Sequence, residues 1–201
     1  IDCISGFQKL DAGRVVLGGV DITGRVAHHI ARAGLMRTFQ TVRIYERLSL
    51  RDNLAIANQQ FDPANWVDEF LRTRRYRDAV AASETRAQQL VELIGLKRYY
   101  EIETGILSYG QKKLVALAAA LMPHPKIVVL DEPVAGMTDE ETARTGELLL
   151  SLAGKHTIVV IEHDMDFVRQ LNSQVTVLCE GKVLCEGSLD KVQADERVIE
   201  A

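Results

Sequence analysis

The stretch LSYGQKKLVALAAALMPHPKIVVLDEP, from Leu107 to Pro133, determines the predicted fold of this chain. A polar turn opens an apolar helical segment, which runs into Pro123 and Pro125 and is followed by a run of β-branched residues. Proline is poorly tolerated inside a helix, so the helical segment and the β-branched run must be separate elements. A helix that precedes a short, continuously apolar strand is typical of an α/β fold with a parallel sheet.

Similar apolar runs recur downstream and extend the predicted sheet. TIVVIEHD (157–164) and VTVLCEGKVLCEG (175–187) are both short and apolar, and the helical stretch DEETARTGELLLSLAGK (139–155) precedes the first of them. This alternation predicts buried parallel strands that are connected by a helical crossover. The second run turns around Glu180 and Gly181, which predicts a hairpin at one edge of the sheet.

The first part of the chain contains shorter elements. GRVVLGGVDITG (13–24) places two β-prone runs around a Gly-Gly turn, which predicts an antiparallel hairpin. HHIARAGLMRTFQ (28–40) predicts a short helix that ends near Gly34 and a brief strand from Met36 to Phe39. IDCISGF (1–7) has the pattern of the last turn of a helix with its glycine cap.

From Glu46 to Gly95 the apolar periodicity is helical. We therefore predict a single domain over residues 1–201. Its α/β lobe consists of residues 1–44 and 123–201 and has a mainly parallel core sheet and an antiparallel β subdomain. A helical lobe, residues 45–122, is inserted into the α/β lobe. The arginine-rich stretch RTRRYRD (72–78) is predicted to be a solvated helix face, and a docking surface is the alternative.

The composition excludes some classes of function. The chain has 201 residues, 47% of them hydrophobic, and a formal net charge of −4. A sizeable core is therefore possible, and there is no general electrostatic attraction to nucleic acid or anionic lipid. No apolar run approaches the ~20 residues of a membrane-spanning helix. Cys3, Cys179 and Cys185 lack the spacing of metal or redox sites, so we expect free thiols in a reducing compartment and leave their role open.

Three polar residues follow the ends of two predicted strands. Asp131 and Glu132 end KIVVLDEP, and His163 ends TIVVIEHD. Ligands bind at the carboxyl ends of strands in open α/β sheets, where one acid can hold Mg²⁺ through water and a second can deprotonate an attacking water. A histidine there can stabilise a γ-phosphate. The alternative is that the acids are simply solvated.

The turn before the central helix has the features of an anion site. Ser108 precedes the helix, and the free N–H groups and dipole of a helix N-terminus attract anions. Gly110 would let a phosphate approach the backbone closely. Ordinary N-capping by Ser108 is the alternative. Gln40 ends the strand RTF at the entry to the helical lobe, where a glutamine can contact a metal or a water.

Taken in order, RTFQ, LSYGQ, IVVLDEP and IEHD resemble the motifs of the ATP-binding cassette, or ABC, ATPase family. The resemblance covers essentially the whole chain and implies an ABC-type P-loop NTPase fold that binds ATP and Mg²⁺. It implies that Gln40 is the Q-loop glutamine, Asp131 the Walker B acid, Glu132 the catalytic base and His163 the switch histidine. Mg²⁺ would be held through water by Asp131 and Gln40.

The same resemblance implies that the cassettes act as a head-to-tail dimer. Residues 108–111 match the signature motif, which closes over ATP bound to the other subunit. The implied signature residues are Ser108, Tyr109, Gly110 and Gln111. The choice between an identical and a related second ATPase subunit stays open.

Within the family, RTFQTVRIYERLSLRDNL, DITG and the closing GSLDKVQADERVIEA look like the ATP-binding subunit of branched-chain amino-acid importers. Importers of urea and other small amides share this pattern, so the solute stays open. The resemblance implies a cytoplasmic subunit, peripheral on the inner face of the membrane, that docks on permease subunits. A periplasmic or extracellular solute-binding protein would be an indirect partner, and no nucleic acid is implied.

The sequence departs from the family pattern at three places. The phosphate-binding loop G-x-x-x-x-G-K-[ST] is not found, nor is the upstream aromatic that stacks on adenine. Ala119 stands where the family usually has arginine, and Thr138 where many members have the D-loop aspartate. Because that loop supplies an amide cradle and a lysine for the phosphates, we expect this chain alone to bind ATP poorly and to be inactive.

We expect the complete protein to carry about 30 to 40 further upstream residues that contain the loop, which makes the domain N-terminally incomplete. Two alternative functions stay open. One is a non-transport ABC ATPase acting on DNA or the ribosome, although coiled-coil insertions and tandem cassettes are not found. The other is a catalytically inactive interaction module that keeps the fold and the permease contact.

Overall fold

The computed structural model describes residues 1–38, 42–58, 70 and 73–200. The strands are β1 (Val16–Leu17), β2 (Val20–Asp21), β3 (Leu35–Arg37), β4 (Ile127–Asp131), β5 (Thr157–Ile161), β6 (Val175–Cys179) and β7 (Lys182–Gly187). The helices are α1 (Ala27–Ala33), α2 (Leu50–Ala57), α3 (Arg74–Leu93), α4 (Tyr109–Leu121), α5 (Asp139–Leu152), α6 (Met165–Leu171), α7 (Leu189–Gln193) and α8 (Glu196–Ile199). Phe39, the predicted end of the third strand, lies outside the described residues.

A parallel sheet of order β3-β4-β5 forms the centre of the molecule. Leu35 pairs with Ile127 on one side of β4, and Asp131 pairs with Ile161 on the other. The α/β fold and the crossover through α5 are therefore confirmed. Because β4 and β5 are in register to their last residues, the segments that follow them start side by side.

Strand β5 is less buried than predicted. The three central residues of β4, Val128 to Leu130, are all buried, whereas Val159 in the middle of β5 is 42% exposed. The prediction of burial is wrong for β5 because this strand is the edge of the three-stranded sheet. Within the described ranges, β4 is its one hydrogen-bonded neighbour strand.

Both predicted hairpins are confirmed. β1 pairs antiparallel with β2, and β6 pairs antiparallel with β7. The second turn has left-handed backbone angles at Glu180 (φ 49°) and Gly181 (φ 78°), as a two-residue hairpin requires. However, in the part of the chain that the structure describes, β6 and β7 form a sheet of their own rather than an edge of the parallel sheet. The turn is a local property, whereas attachment to the sheet needs pairing with a distant strand.

The helices between residues 50 and 121 pack around one apolar cluster that continues onto β4. Ser49 caps α2 and Thr73 caps α3 through side-chain oxygens that accept backbone N–H groups. Leu54, Leu90 and Leu121 are buried in the same cluster as Val128 and Leu130 of β4. The arginine-rich start of α3 is exposed at Arg74 and Arg75, as a solvated face requires. None of the described helices is both long enough and apolar enough to cross a bilayer.

The first seven residues form one helical turn with a glycine cap. Phe7 N–H donates to Asp2 O at 2.9 Å, Gly6 N–H donates to Cys3 O at 3.4 Å, and Gly6 has a φ of 77°. This pair of bonds is the Schellman pattern, so the predicted helix end is confirmed. Gly6 also lies against the start of α1. A Cβ atom on Gly6 would lie 2.6 Å from Arg25 O and 2.9 Å from Ala27 N.

We expect Gly6→Ala to lower the free energy of unfolding by about 3 kcal/mol, because it adds a backbone clash to the strain of a left-handed residue. The matched control is Gly13→Ala. Gly13 also has a positive φ, but a Cβ there would meet no atom within 4 Å, so only the strain of about 1 kcal/mol applies. Urea denaturation of both variants measures the difference, and equal losses would contradict the predicted clash.

Candidate functional site

The candidate site lies at the carboxyl edge of the parallel sheet. Asp131 is the last residue of β4, and Ile161 beside it is the last residue of β5. Consequently Glu132 and His163 face each other, with His163 Nδ1 3.7 Å from Glu132 Oε1. The imidazole is 78% exposed, and the carboxylate is 29% exposed. The structure therefore brings together these two predicted site residues on a surface that a ligand can reach.

Glu132 has a strained backbone. Its φ of 48° lies in the left-handed region, which costs a residue other than glycine about 1–3 kcal/mol. The conformation is held by the N–H of Glu132, which donates to Ile161 O at 2.9 Å, and by Ala135 N–H, which donates to Glu132 O at 3.3 Å. Such strain is found preferentially at functional sites. It turns the chain sharply at the end of β4 and leaves the carboxylate beside His163.

Asp131 is paired with Arg37 on the neighbouring strand β3. Arg37 Nη2 donates to Asp131 Oδ2 at 2.9 Å, and Arg37 Nη1 donates to Ser5 Oγ at 3.2 Å and also to the Asp2 carboxylate. Burial acts to lower the pKa of Arg37, but the hydrogen bonds to Asp2 and Asp131 outweigh it and raise that pKa. The hydrogen bond from Arg37 also lowers the pKa of Asp2. One guanidinium thus joins the N-terminal turn to the end of β4.

Glu162 connects the two segments that follow β4 and β5. Its side chain is 1% exposed. One carboxylate oxygen accepts Val134 N–H at 3.2 Å, and the other accepts His163 N–H at 3.2 Å. Buried carboxylates need such donors. Glu162 therefore fixes the backbone of His163 relative to the residues after Glu132.

Sequence reasoning did not single out Arg37 or Glu162. Both lie inside motifs that were recognised, RTFQ and IEHD. A charged residue within a strand next to an acid-bearing strand was the available signal for Arg37. An acid directly before the strand-end histidine was the signal for Glu162.

The predicted signature residues form the N-terminus of α4. Ser108 Oγ accepts Gln111 N–H at 3.2 Å, and Gln111 Oε1 accepts Ser108 N–H at 3.0 Å. This reciprocal pair is a capping box, so the N-capping alternative for Ser108 is present in the structure. The Tyr109 ring is half exposed beside it. Ser108 and Gln111 are thus held in fixed positions at the helix start.

Gly110 lies against a carboxylate of the next helix. A Cβ atom on Gly110 would lie 3.0 Å from the Glu141 carboxylate. Glu141 in turn caps α5, because its carboxylate accepts Thr138 N–H at 3.1 Å while Thr138 Oγ1 accepts Glu141 N–H at 3.3 Å. The space that the missing side chain leaves at Gly110 is therefore filled by Glu141. Thr138, which is predicted to occupy the D-loop position, serves as a helix cap.

The side chains at this edge of the sheet supply only some of the ligands that a magnesium ion needs. Asp131 and Glu132 supply the carboxylate oxygens that Mg²⁺ prefers, although one Asp131 oxygen is bonded to Arg37. Gln40, the other predicted metal contact, lies outside the described residues. Over residues 1–38, 42–58, 70 and 73–200, no group of three or more His, Cys, Asp or Glu side chains could hold a metal ion. A magnesium ion would need water and ligand oxygens to complete its coordination.

Comparison with known proteins gives consistent matches. The family model described as ABC transporter matches residues 1–135. The high-affinity branched-chain amino acid transport ATP-binding protein BraF of Pseudomonas aeruginosa is 31% identical over 202 residues, which cover 100% of this chain and 79% of BraF. The high-affinity branched-chain amino acid transport ATP-binding protein LivG of Escherichia coli is 32% identical with the same coverage.

Solved structures agree with these sequence matches. A nucleotide-free ATP-binding cassette from an ABC transporter superposes with a TM-score of 0.81 at 30% identity, and the match covers 99% of this chain and 80% of the other. An ATP-binding cassette in its ADP conformation superposes with a TM-score of 0.80 at 28% identity and the same coverage.

Alanine variants are usually more stable than glycine variants, and the strain at Glu132 predicts the opposite order of stability at that position. We expect Glu132→Gly to be more stable than Glu132→Ala by about 1 kcal/mol, since only glycine adopts a left-handed conformation without cost. At the control position Glu147, exposed within α5, alanine should be more stable than glycine by about 1 kcal/mol. Thermal unfolding of the four variants gives the comparison. The same order at both positions would contradict the strain.

The burial of Arg37 predicts a second difference in stability. We expect Arg37→Met to lower the free energy of unfolding by about 2 kcal/mol, because it leaves Asp131 and Ser5 without their donor. Arg14→Met is the control. Arg14 also pairs with an aspartate, Asp21, but the two side chains are 69% and 48% exposed, against 11% for Arg37 and 24% for Asp131. Equal effects of the two substitutions in chemical denaturation would show that the Arg37 contacts add nothing.

Proposed function

This chain belongs to the ABC transporter family, and from that membership we propose that it powers an importer of branched-chain amino acids by hydrolysing ATP. Family members are the ATP-binding subunits of transporters, and ATP hydrolysis is the activity that the family implies. The names of the relatives BraF and LivG support the proposed solute. Related small amides such as urea are the alternative solutes.

One observation carries the proposed chemistry, namely the pairing of Glu132 with His163 at the carboxyl edge of the sheet. Glu132 polarises and deprotonates the water that attacks the γ-phosphate. His163 donates to the γ-phosphate and stabilises the charge that develops on it. Glu162 supports both residues, because it bonds the backbone N–H groups of Val134 and His163.

Asp131 and Gln40 are the residues that we assign to a magnesium ion, acting through water. Magnesium, when bound, neutralises charge on the phosphates. The Asp131 carboxylate is already oriented for this role, since Arg37 holds one of its two oxygens. The proposal for Gln40 rests on its match to the Q-loop of the family.

The signature end of α4 is proposed to serve a second ATPase subunit rather than this one. Residues 108–111 close over the partner's ATP in a head-to-tail dimer, and the partner's signature closes over ATP beside Glu132. The N–H groups and dipole at the N-terminus of α4 supply the attraction for phosphate.

The remaining partners follow from the same proposal. The subunit lies at the inner face of the cell membrane and docks on integral-membrane permease subunits. A periplasmic or extracellular solute-binding protein delivers the solute to the permease and does not contact this subunit. Nucleic acid has no role, in keeping with the net charge of −4.

The test is Glu132→Gln in the assembled transporter. We expect the rate constant kcat for ATP hydrolysis to fall at least about 100-fold, because the amide cannot accept the proton of the attacking water. ATP should stay bound and the dimer should stay closed. The control Glu147→Gln changes an exposed glutamate of α5 and should hydrolyse ATP at the wild-type rate.

Three outcomes would contradict parts of the proposal. Rapid turnover by Glu132→Gln would remove Glu132 as the base. A wild-type complex that does not hydrolyse ATP would reject the ATPase function in favour of an inactive interaction module. Uptake assays in proteoliposomes with radiolabelled leucine and urea decide the solute, and stimulation of turnover by DNA or RNA would support a non-transport role.

A further inference from the structure

Lys113 connects the signature helix to the backbone of Glu132. It lies in the second turn of α4, and its Nζ donates to Glu132 O at 2.6 Å. The same ammonium lies 5.3 Å from the centre of the Tyr109 ring, at the start of the helix. Lys113 therefore contacts both the signature end of α4 and the peptide that follows the proposed base.

The charge of Lys113 is partly buried and is balanced by carboxylates. Burial lowers the pKa of Lys113, and the nearby charges of Glu162 and Glu132 oppose that effect. Glu162 is almost fully buried and is fixed by two backbone N–H groups. A partly buried ammonium with fixed partners occupies one position, unlike a solvated lysine.

Little free space separates α4 from the end of β4. A cavity of about 20 Å³ lies between them, which is room for roughly one water molecule. Its lining includes Lys113, Leu117, Asp131, Glu132 and Met137. A shift of α4 toward the sheet would close this cavity and then press on the residues after β4, because packed elements have little further room to approach.

We propose that Lys113 is a positioning residue that sets the orientation of Glu132 according to the position of α4. The hydrogen bond from Lys113 holds the carbonyl of a residue whose φ is 48°, and a charged donor makes that bond strong. Release of this bond lets the strained peptide relax and moves the carboxylate away from His163.

This inference rests on the proposed function, and it adds a route between the two ATP sites of a dimer. Residues 108–111 would respond to the partner's ATP, and Lys113 lies one turn further along the same helix. Movement of α4 upon engagement therefore reaches Glu132 through the ammonium. Hydrolysis at one site then depends on whether the subunit's own signature is engaged at the other.

The experiment compares Lys113→Met, Lys113→Arg and Lys97→Met in the assembled transporter. Lys97 is the control, because it is exposed and pairs only with the exposed Glu92 among the contacts described. We expect Lys113→Met to lower kcat by about 10- to 100-fold, as small misplacements of catalytic groups do, while KM for ATP stays within about twofold of wild type. Lys113→Arg should recover most of the rate, and Lys97→Met should not differ from wild type.

A second arm combines Lys113→Met with Glu132→Gln. If Lys113 acts through Glu132, the double variant should hydrolyse ATP no more slowly than Glu132→Gln alone, because residues that act as a unit are not additive. Without nucleotide, the melting temperature of Lys113→Met should fall below that of Lys97→Met, which reports the contact independently of turnover.

The outcomes separate this inference from the proposed function. A wild-type complex with normal ATPase activity and an equally active Lys113→Met variant would overturn the positioning role alone. Equal rate losses in the wild-type and Glu132→Gln backgrounds would also overturn it, because Lys113 would then act elsewhere. A rise in KM without a fall in kcat would assign Lys113 to ATP binding instead. A wild-type complex without ATPase activity would overturn both proposals.

Discussion

The burial of β4 on both faces is the constraint on which the rest of the structure depends. Val128 and Leu130 belong to the cluster that contains α2, α3 and α4, whereas Val129 between them belongs to the cluster of the first hairpin and α1. Successive side chains of a strand point to opposite faces, so one five-residue strand holds two apolar clusters together. A register shift of one residue would exchange these faces and would also displace Asp131.

Several acidic side chains lie at the carboxyl edge of the sheet, and cationic side chains from two neighbouring elements lie close to them. Arg37 on β3 pairs with Asp131, and Lys113 on α4 lies near Glu132 and the buried Glu162. Charge-assisted hydrogen bonds of this kind are strong and hold both side chains in one geometry. The conformational entropy of these side chains is lost when the protein folds, not when a ligand binds. Between these cations the Glu132 carboxylate remains accessible beside His163. The site is thus oriented before any ligand enters it.

Local chemistry made much of the fold predictable. The helix end at Gly6, the capping of α4 by Ser108 and the turn at Glu180 follow from residues adjacent in sequence. The strand-end positions of Asp131 and His163 were also predictable, because parallel strands end at one edge. The motifs that resemble ABC ATPases placed the family correctly.

Other features depend on pairing between distant residues and were not predictable. Arg37 meets Asp131 across 94 positions of sequence, and no pattern within either segment specifies the partner. The same reason applies to β5 and to the second hairpin. Whether β5 is an edge strand, and whether the hairpin joins the parallel sheet, depends on pairing between strands that are distant in sequence. Glu162 was missed because one of its two donors, the N–H of Val134, comes from the loop after a different strand.

Among the residues that the structure describes, β5 pairs with β4 alone, and its other edge has a consequence for how copies of this chain meet in solution. The strand reads TIVVI, contains no charge and no proline, and leaves Val159 42% exposed. Short, uncharged, β-branched segments with an unpaired edge act as templates for strand addition between molecules. That association is second order in protein concentration, whereas folding is first order. Association along β5 therefore competes with folding more strongly as the protein concentration rises.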